Sequence, residues 1–309
     1  MLFVCFNRFL IKFVTMICMP NVKINLGLNV LEKRPDGFHN LETLFVPYTG
    51  IADRLEIVTG DDFSRTLSSL QERYAGLTQA ISADGKLMIT LARKEGVDWD
   101  PLKDLTAKAY FLLSEDFDLP PMKIYLEKLS PVGAGLGGGS SDAAFALRAM
   151  AELSGLHLSD ETLASYAARL GSDCAFFVYN KPMFGSGRGE VLEPYEPDLE
   201  AWRIEVVIPE GIAVSTADAY RGIEPHRPEK PLREVLSQPV STWKEELRND
   251  FEKTVFARYP ALAQVKESLY GRGAVYAAMS GSGSACFGIF PRAEEGKITG
   301  GASFPGFGA

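Results

Sequence analysis

Residues Pro131 to Ser141 read PVGAGLGGGSS, a run whose chemistry is that of a phosphate cradle. Glycines at 133, 135, 137, 138 and 139 carry no Cβ, so successive backbone N–H groups can turn inward toward an anion. The run sits between KIYLEKL (123–129), whose alternation predicts a strand, and SDAAFALRAMAEL (141–153), whose Ala and Leu content favours a helix. A helix N-terminus there adds its own field for negative charge, and the hydroxyls of Ser140 and Ser141 can donate further hydrogen bonds. Glycines alone would also suit a flexible linker; the strand-loop-helix setting favours the anion site.

Two better-known phosphate loops compete for this run. A Walker A loop requires G-x-x-x-x-G-K-S/T, and no lysine follows the glycines. Gly133, Gly135 and Gly138 do satisfy G-x-G-x-x-G, but a dinucleotide site also needs a second strand ending in an acidic residue about 20 positions on. Residues 154–170, SGLHLSDETLASYAARL, predict a turn and a helix instead. Gly155 stops the first helix, and Ser159 opens the next without the Glu or Gln at 162 that would complete a capping box.

Several elements must position the loop. VKINLGLNV (22–30) alternates, with Val22, Ile24, Leu26, Leu28 and Val30 on one strand face and Lys23, Asn25, Gly27 and Asn29 on the other. The RPDG turn at 34–37 then leads into LETLFVPY, predicting an antiparallel pair. A strand is expected at 53–58, a polar and partly helical excursion at 60–86, and a helix at 104–113. Gly185, Gly187, Gly189, Pro194 and Pro197 should break regular structure and mark a domain junction. Beyond it the pattern predicts a strand at 203–208, helices at 216–220, 243–247 and 261–269, a strand at 274–279, and a turn with a final strand in SGSGSACFGIF. This order fits an α+β fold better than a doubly wound sheet.

The chain has 309 residues, 46% of them hydrophobic, enough for one large domain or two ordinary ones. Its formal net charge of -8 argues against a nucleic-acid partner, so any phosphate must be bound by local devices. Cys5, Cys18, Cys174 and Cys286, with His39, His157 and His226, lack the spacing of a zinc site or a disulfide framework. The first twenty residues are apolar but interrupted by Arg8 and Lys12, and no small-x-small cleavage site follows. The expectation is a start at Met16 or Met19, with residues 1–19 an uncertain extension, and a cytoplasmic protein with no membrane partner.

The loop resembles the P-x-x-x-G-L-G-S-S-A-A motif of the GHMP kinases, here Pro131, Gly135, Leu136, Gly137 and Gly139-Ser140-Ser141-Asp142-Ala143-Ala144. Met279-Ser280-Gly281-Ser282-Gly283-Ser284 resembles that superfamily's C-terminal glycine motif. Within it, Lys23, Asn25, Arg34, Asp36, Gly37, Phe38 and His39 are similar to the K-x-N-L and R-x-D-G-Y/F-H segments of the diphosphocytidyl-methylerythritol kinases. Leu170-Gly171-Ser172-Asp173 resembles their L-G-x-D, and Asn249-Asp250-Phe251-Glu252 their N-D-L-E. The resemblance runs from residue 20 to about 290. Phe38 departs from the frequent tyrosine, Asp142 from Asn or Ala, and Asp104 from the Asn that bears on adenine recognition.

The resemblance implies a two-domain architecture: a ribosomal protein S5 domain 2-like N-terminal domain over 20–188 and a ferredoxin-like C-terminal domain over 189–292. It implies ATP held by Pro131, Val132, Gly133, Ala134, Gly135, Leu136, Gly137, Gly138, Gly139, Ser140 and Ser141. Mg2+ is expected with it, its ligands open, with Ser140 or Ser141 able to approach. Asp173 would accept the proton of a substrate hydroxyl and Lys23 would stabilise developing charge. Phe38 and Tyr220 would stack on the cytosine of a cytidine diphosphate-linked acceptor, His39 would hydrogen-bond it, and Asn25 and Thr216 would lie nearby. A GHMP kinase acting on homoserine, mevalonate or a sugar, and a catalytically silent nucleotide sensor, remain alternatives. The oligomeric state stays open.

Overall fold

The computed structural model describes residues 15–60 and 65–292. In chain order its strands and helices begin with β1 (Thr15–Cys18), β2 (Asn21–Lys33), β3 (His39–Ala52), β4 (Arg54–Thr59), α1 (Arg65–Arg73), β5 (Thr78–Ile81) and β6 (Leu87–Arg93). There follow α2 (Leu105–Ser114), β7 (Met122–Lys128), α3 (Gly138–Leu153), α4 (Asp160–Leu170), α5 (Cys174–Tyr179), β8 (Met183–Ser186) and β9 (Val191–Pro194). The remainder is β10 (Trp202–Val207), α6 (Thr216–Tyr220), α7 (Leu232–Leu236), α8 (Trp243–Glu246), α9 (Phe251–Arg258), α10 (Pro260–Gly271), β11 (Tyr276–Met279) and β12 (Cys286–Pro291).

Three sheets carry these elements. A mixed sheet runs β1-β4-β7-β6-β5, with β6 and β7 its parallel pair. A core of Ile57, Leu91, Ile124 and Leu126 against Tyr110, Leu147 and Phe176 joins it to α2, α3 and α5. An antiparallel sheet, β2-β3-β8-β9, lies between this core and the last sheet, β10-β12-β11. The last sheet buries Phe287 and Ile289 against Val22, Ile24 and Trp243 on one side and Ala277 and Cys286 against Leu262 and Leu269 on the other. This is the mixed α+β, two-domain arrangement expected.

Several local expectations change. The alternation of β2 predicted one core face and one polar face, yet residues 21–30 are buried throughout, because the Lys23 face packs against the glycine loop, with Lys23 N–H donating to Leu136 O at 2.9 Å. A bulge at Gly27 (φ +67°) breaks the pairing register between Leu26 and Leu28, so Leu28 lines the same cleft as Lys23 and Asn25. Leu232 and Leu247 pack within 2.6 Å of where a Cβ on Gly27 would stand.

The stretch expected to break regular structure forms the β8–β9 hairpin, so the junction expected between 188 and 189 falls inside its turn. Gly187 (φ +67°) and Gly189 (φ +106°) make that turn, which is why glycine density there signals a hairpin rather than a linker. Within 60–86 a helix does form, α1, but β5 and then β6 (LMITLAR) were not expected; β6 is buried on both faces and so lacks alternation. Positions 61–64 lie outside the described residues. Thr15–Cys18, part of the expected extension, is an edge strand on β4, and residues 1–14 again lie outside the described residues. The short helices α7 and α9 were likewise missed.

Candidate active site

Two glycine loops meet at the centre of the molecule. Gly137 adopts a left-handed conformation (φ +71°) and caps α3, whose first turn is Gly138, Gly139 and Ser140. Gly133 and Gly135 are also left-handed, at +72° and +75°. A Cβ on Gly135 would stand 2.1 Å from Ser280 O, so only glycine lets the second loop, residues 280–285, approach. That contact is closed by Ala285 N–H donating to Ala134 O (3.1 Å) and Ser280 Oγ–H to Gly135 O (3.1 Å).

Asn249 holds the second loop from below, its Nδ2 donating to Met279 O and Gly281 O at 2.8 Å each. The adjacent Asp250 ties the same corner to β2: its N–H donates to Leu28 O (2.9 Å), and its carboxylate accepts Val30 N–H (2.7 Å). The Asn249-Asp250-Phe251-Glu252 motif therefore acts as a brace between strand and loop. Glu252 completes it by accepting Met279 N–H at 2.8 Å.

Above the loops lie Lys23 and Asp173. Lys23 Nζ donates to Asn25 Oδ1 (2.6 Å) and Gly135 O (2.9 Å) and stands 3.4 Å from Asp173 Oδ2. Its side chain is 4% exposed and that of Asp173 is 32% exposed, so the ammonium is anchored while the carboxylate faces the cleft. Asn25 is itself fixed by donating to Thr43 Oγ1 (2.9 Å), whose hydroxyl donates to Gly27 O (2.6 Å). Gly171 ends α4 and the chain turns to start α5 at Cys174, placing Asp173 at that corner. The neighbouring Cys174 thiol is pushed up to about 12 by burial, which keeps it protonated and inert.

Beneath the first loop lies a group the sequence reading passed over. Lys128 Nζ is paired with Asp53 Oδ2 and Asp142 Oδ2, and all three side chains are buried. Asp53 is well satisfied, accepting Leu129 N–H and Ser130 N–H at 2.6 Å each and Ser130 Oγ–H at 2.7 Å. Among the described residues Asp142 Oδ1 has no partner. Burial accordingly pushes the Asp142 carboxyl well above the usual range, against the pull of Lys128. One signal was available: in KIYLEKL, Lys128 shares a strand face with Ile124 and Leu126, where a lysine needs a buried partner.

At the far end, His39 and Tyr220 stack, ring centroids 4.8 Å apart and 19° from parallel, with Phe251 edge-on to Tyr220 at 4.8 Å. His39 is pushed down by burial and by Lys33, which favours its neutral form. Phe38 is 53% exposed, and its ring faces the Arg188 guanidinium at 5.0 Å. Thr216 Oγ1 lies 3.3 Å from Ser282 Oγ. Toward α2, Trp99 Nε1–H donates to Asp104 Oδ2 (3.1 Å), and Asp104 Oδ1 accepts Thr106 N–H (2.9 Å), so the aspartate at that departing position caps a helix and holds an indole.

These groups line one cleft of ≈ 960 Å³. It gathers Lys23, Asn25, Phe38, His39, Asp173, Thr216, Tyr220 and most of the 131–140 loop. Leu136 and Ser141 do not line it: both are buried, and Ser141 Oγ has no partner among the described residues. Asp104 and Asp142, named above as departures from the motifs, line it too, and Trp99, Lys103, Lys128 and Arg188 line it without having been foreseen. No helix among the described residues is long and apolar enough to cross a membrane.

A left-handed glycine loop opening a helix, a second glycine loop locked against it and a Lys–Asp pair above both make up the site. The GHMP kinases N terminal domain matches residues 104–181, and the GHMP kinases C terminal domain matches 232–299. The fold recurs in the mevalonate kinase of Methanococcus jannaschii, with a TM-score of 0.57 at 12% identity over 91% of this chain and 92% of that one. A 4-diphosphocytidyl-2-C-methyl-D-erythritol kinase of Bacteroides fragilis is 46% identical over 92% of this chain and 94% of its own length. One of Nitratidesulfovibrio vulgaris is 33% identical over 88% and 89%. A crystal structure of 4-(cytidine 5'-diphospho)-2C-methyl-D-erythritol kinase superimposes with a TM-score of 0.66 at 31% identity, covering 89% of this chain and 90% of that one. The chain belongs to the 4-diphosphocytidyl-2-C-methyl-D-erythritol kinase family.

Proposed function

We propose that the chain transfers the γ-phosphoryl group of ATP to the 2-hydroxyl of 4-diphosphocytidyl-2-C-methyl-D-erythritol, a step of the non-mevalonate isoprenoid route. The observation that carries this reading is the Lys23–Asp173 pair at the mouth of two interlocked glycine loops. Phosphoryl transfer asks for alignment, charge neutralisation and a proton acceptor. The loop N–H groups and the α3 terminus would hold the triphosphate. Asp173, the more exposed partner, would take the hydroxyl proton as the new O–P bond forms and the β,γ-bridging bond breaks, releasing ADP.

Lys23 would offset the charge that builds on the transferring group. Hydrogen bonds to Asn25 Oδ1 and Gly135 O and the ion pair with Asp173 hold its ammonium in place before any ligand arrives. Phe38, His39 and Tyr220 would receive the cytosine, with Asn25 and Thr216 beside the acceptor. Magnesium would arrive with the nucleotide phosphates and neutralise their charge. The Ser140 hydroxyl in the cleft and the unpartnered Ser141 hydroxyl beneath it are the loop oxygens whose chemistry fits such an ion.

The test is ADP release against a panel of acceptors. The diphosphocytidyl acceptor should support turnover, and Asp173→Asn and Lys23→Ala should each lower kcat by about 10²–10⁴-fold while the fold persists. Turnover on homoserine or mevalonate alone would overturn the substrate, and full activity in both variants would overturn the roles.

A further inference from the structure

We infer that Arg188 is the cation that receives the acceptor's diphosphate, and so distinguishes a nucleoside diphosphate from the bare nucleoside; this rests on the acceptor proposed above. The reading starts from a charge inventory of the cleft. A diphosphate joining a base site at Phe38, His39 and Tyr220 to a reaction site at Lys23 and Asp173 needs a positive group between them. Lys23 is held at the reaction site by its hydrogen bonds to Asn25 and Gly135 O and its ion pair with Asp173. Lys128 is buried between Asp53 and Asp142 under the phosphate loop. Lys103 stands beside Asp104 on the far side, where the α2 residue Leu105 comes within 3.9 Å of a Cβ built on Gly139 in the loop.

Arg188 is the cleft cation with the right place and freedom. It occupies the tip of the β8–β9 hairpin between two left-handed glycines, Gly187 and Gly189. That tip is fixed over β3 by Leu41 N–H donating to Gly187 O at 2.7 Å. A Cβ on Gly189 would lie 4.0 Å from Asp173 Oδ1, so the turn runs beside the reaction site, while the guanidinium itself reaches Phe38 at the base site. Among the described residues its one ion pair is with Glu190, Nε donating to Oε1 at 3.4 Å, and the side chain is 36% exposed. Glu190 also accepts the Arg188 backbone N–H at 2.5 Å, which holds the turn and leaves the two Nη groups of the guanidinium available to phosphate oxygens.

The experiment measures cytidine and CDP as competitive inhibitors of the acceptor in the parent, Arg188→Ala and Arg188→Lys. Arg188→Ala should weaken CDP and raise the acceptor KM by about tenfold to a hundredfold. Cytidine inhibition and the KM for ATP should move less than about twofold, within the error of such a comparison. Arg188→Lys should recover part of the loss, since it keeps the charge without the fork. Equal weakening of cytidine and CDP would overturn the inference, because Arg188 would then serve only the Phe38 ring. An unchanged CDP constant would overturn it as well. A parent that binds CDP through Arg188 but turns over no diphosphocytidyl acceptor would leave this inference standing and defeat the proposed function instead.

Discussion

Replacing Lys128 by Met removes the cation from between Asp53 and Asp142 while keeping most of the side-chain volume. Lys128, Asp53 and Asp142 are 6%, 0% and 1% exposed, so bulk water does little to replace the ammonium. Asp53 keeps its bonds from Leu129, Ser130 N–H and Ser130 Oγ–H, whereas Asp142 loses the partner of Oδ2 and already lacks one for Oδ1. Breaking a buried ion pair by removing one partner costs about 3–5 kcal/mol. At about 2–4 °C per kcal/mol for a chain of this size, the melting temperature should fall by roughly 6–20 °C. Thermal unfolding followed by circular dichroism near neutral pH reads this directly. Adding Asp142→Asn to Lys128→Met replaces the stranded carboxyl with a neutral amide and should recover a substantial part of the loss. A Lys128→Met protein melting within about 2 °C of its parent, or a double variant less stable than the single one, would refute the reasoning.

Two other outcomes follow from the same region. Gly135→Ala forces a Cβ onto a left-handed residue, at about 1–2 kcal/mol, and against Ser280 O at 2.1 Å; the KM for ATP should rise and the melting temperature fall, and a variant matching its parent in both would count against the interlocked loops. Asp142 holds its proton more tightly folded than unfolded, so its contribution is complete below its ordinary value of 3.8 and is lost as pH rises toward its folded value. Stability of Asp142→Asn relative to the parent should therefore increase from about pH 4 upward, and parallel stability–pH curves would show that Asp142 does not titrate as a buried acid.

The glycine loop was legible because its signal is local: glycines between a strand and a helix leave few conformations. Its Walker A and dinucleotide rivals were removed by a missing lysine and a missing strand, both readable along the chain. Asn249 and its neighbours were legible only as letters. Their work, bracing Met279 and Gly281 against β2, needs two segments about thirty residues apart. The β8–β9 hairpin was read as a junction because its glycines mark a turn without saying whether strands flank it.

Sequence alone determined the alternation of β2, the RPDG turn, the α3 start and the residues able to bear charge, since each depends on neighbours one to four positions away. Only the tertiary structure decided which charges meet. It put Lys23 from β2 at 3.4 Å from Asp173, buried Lys128 between two aspartates, and swung Arg188 over Phe38. Those pairings join residues as many as 150 positions apart, and the free energy that selects them comes from burying apolar surface across three sheets, which no local pattern records.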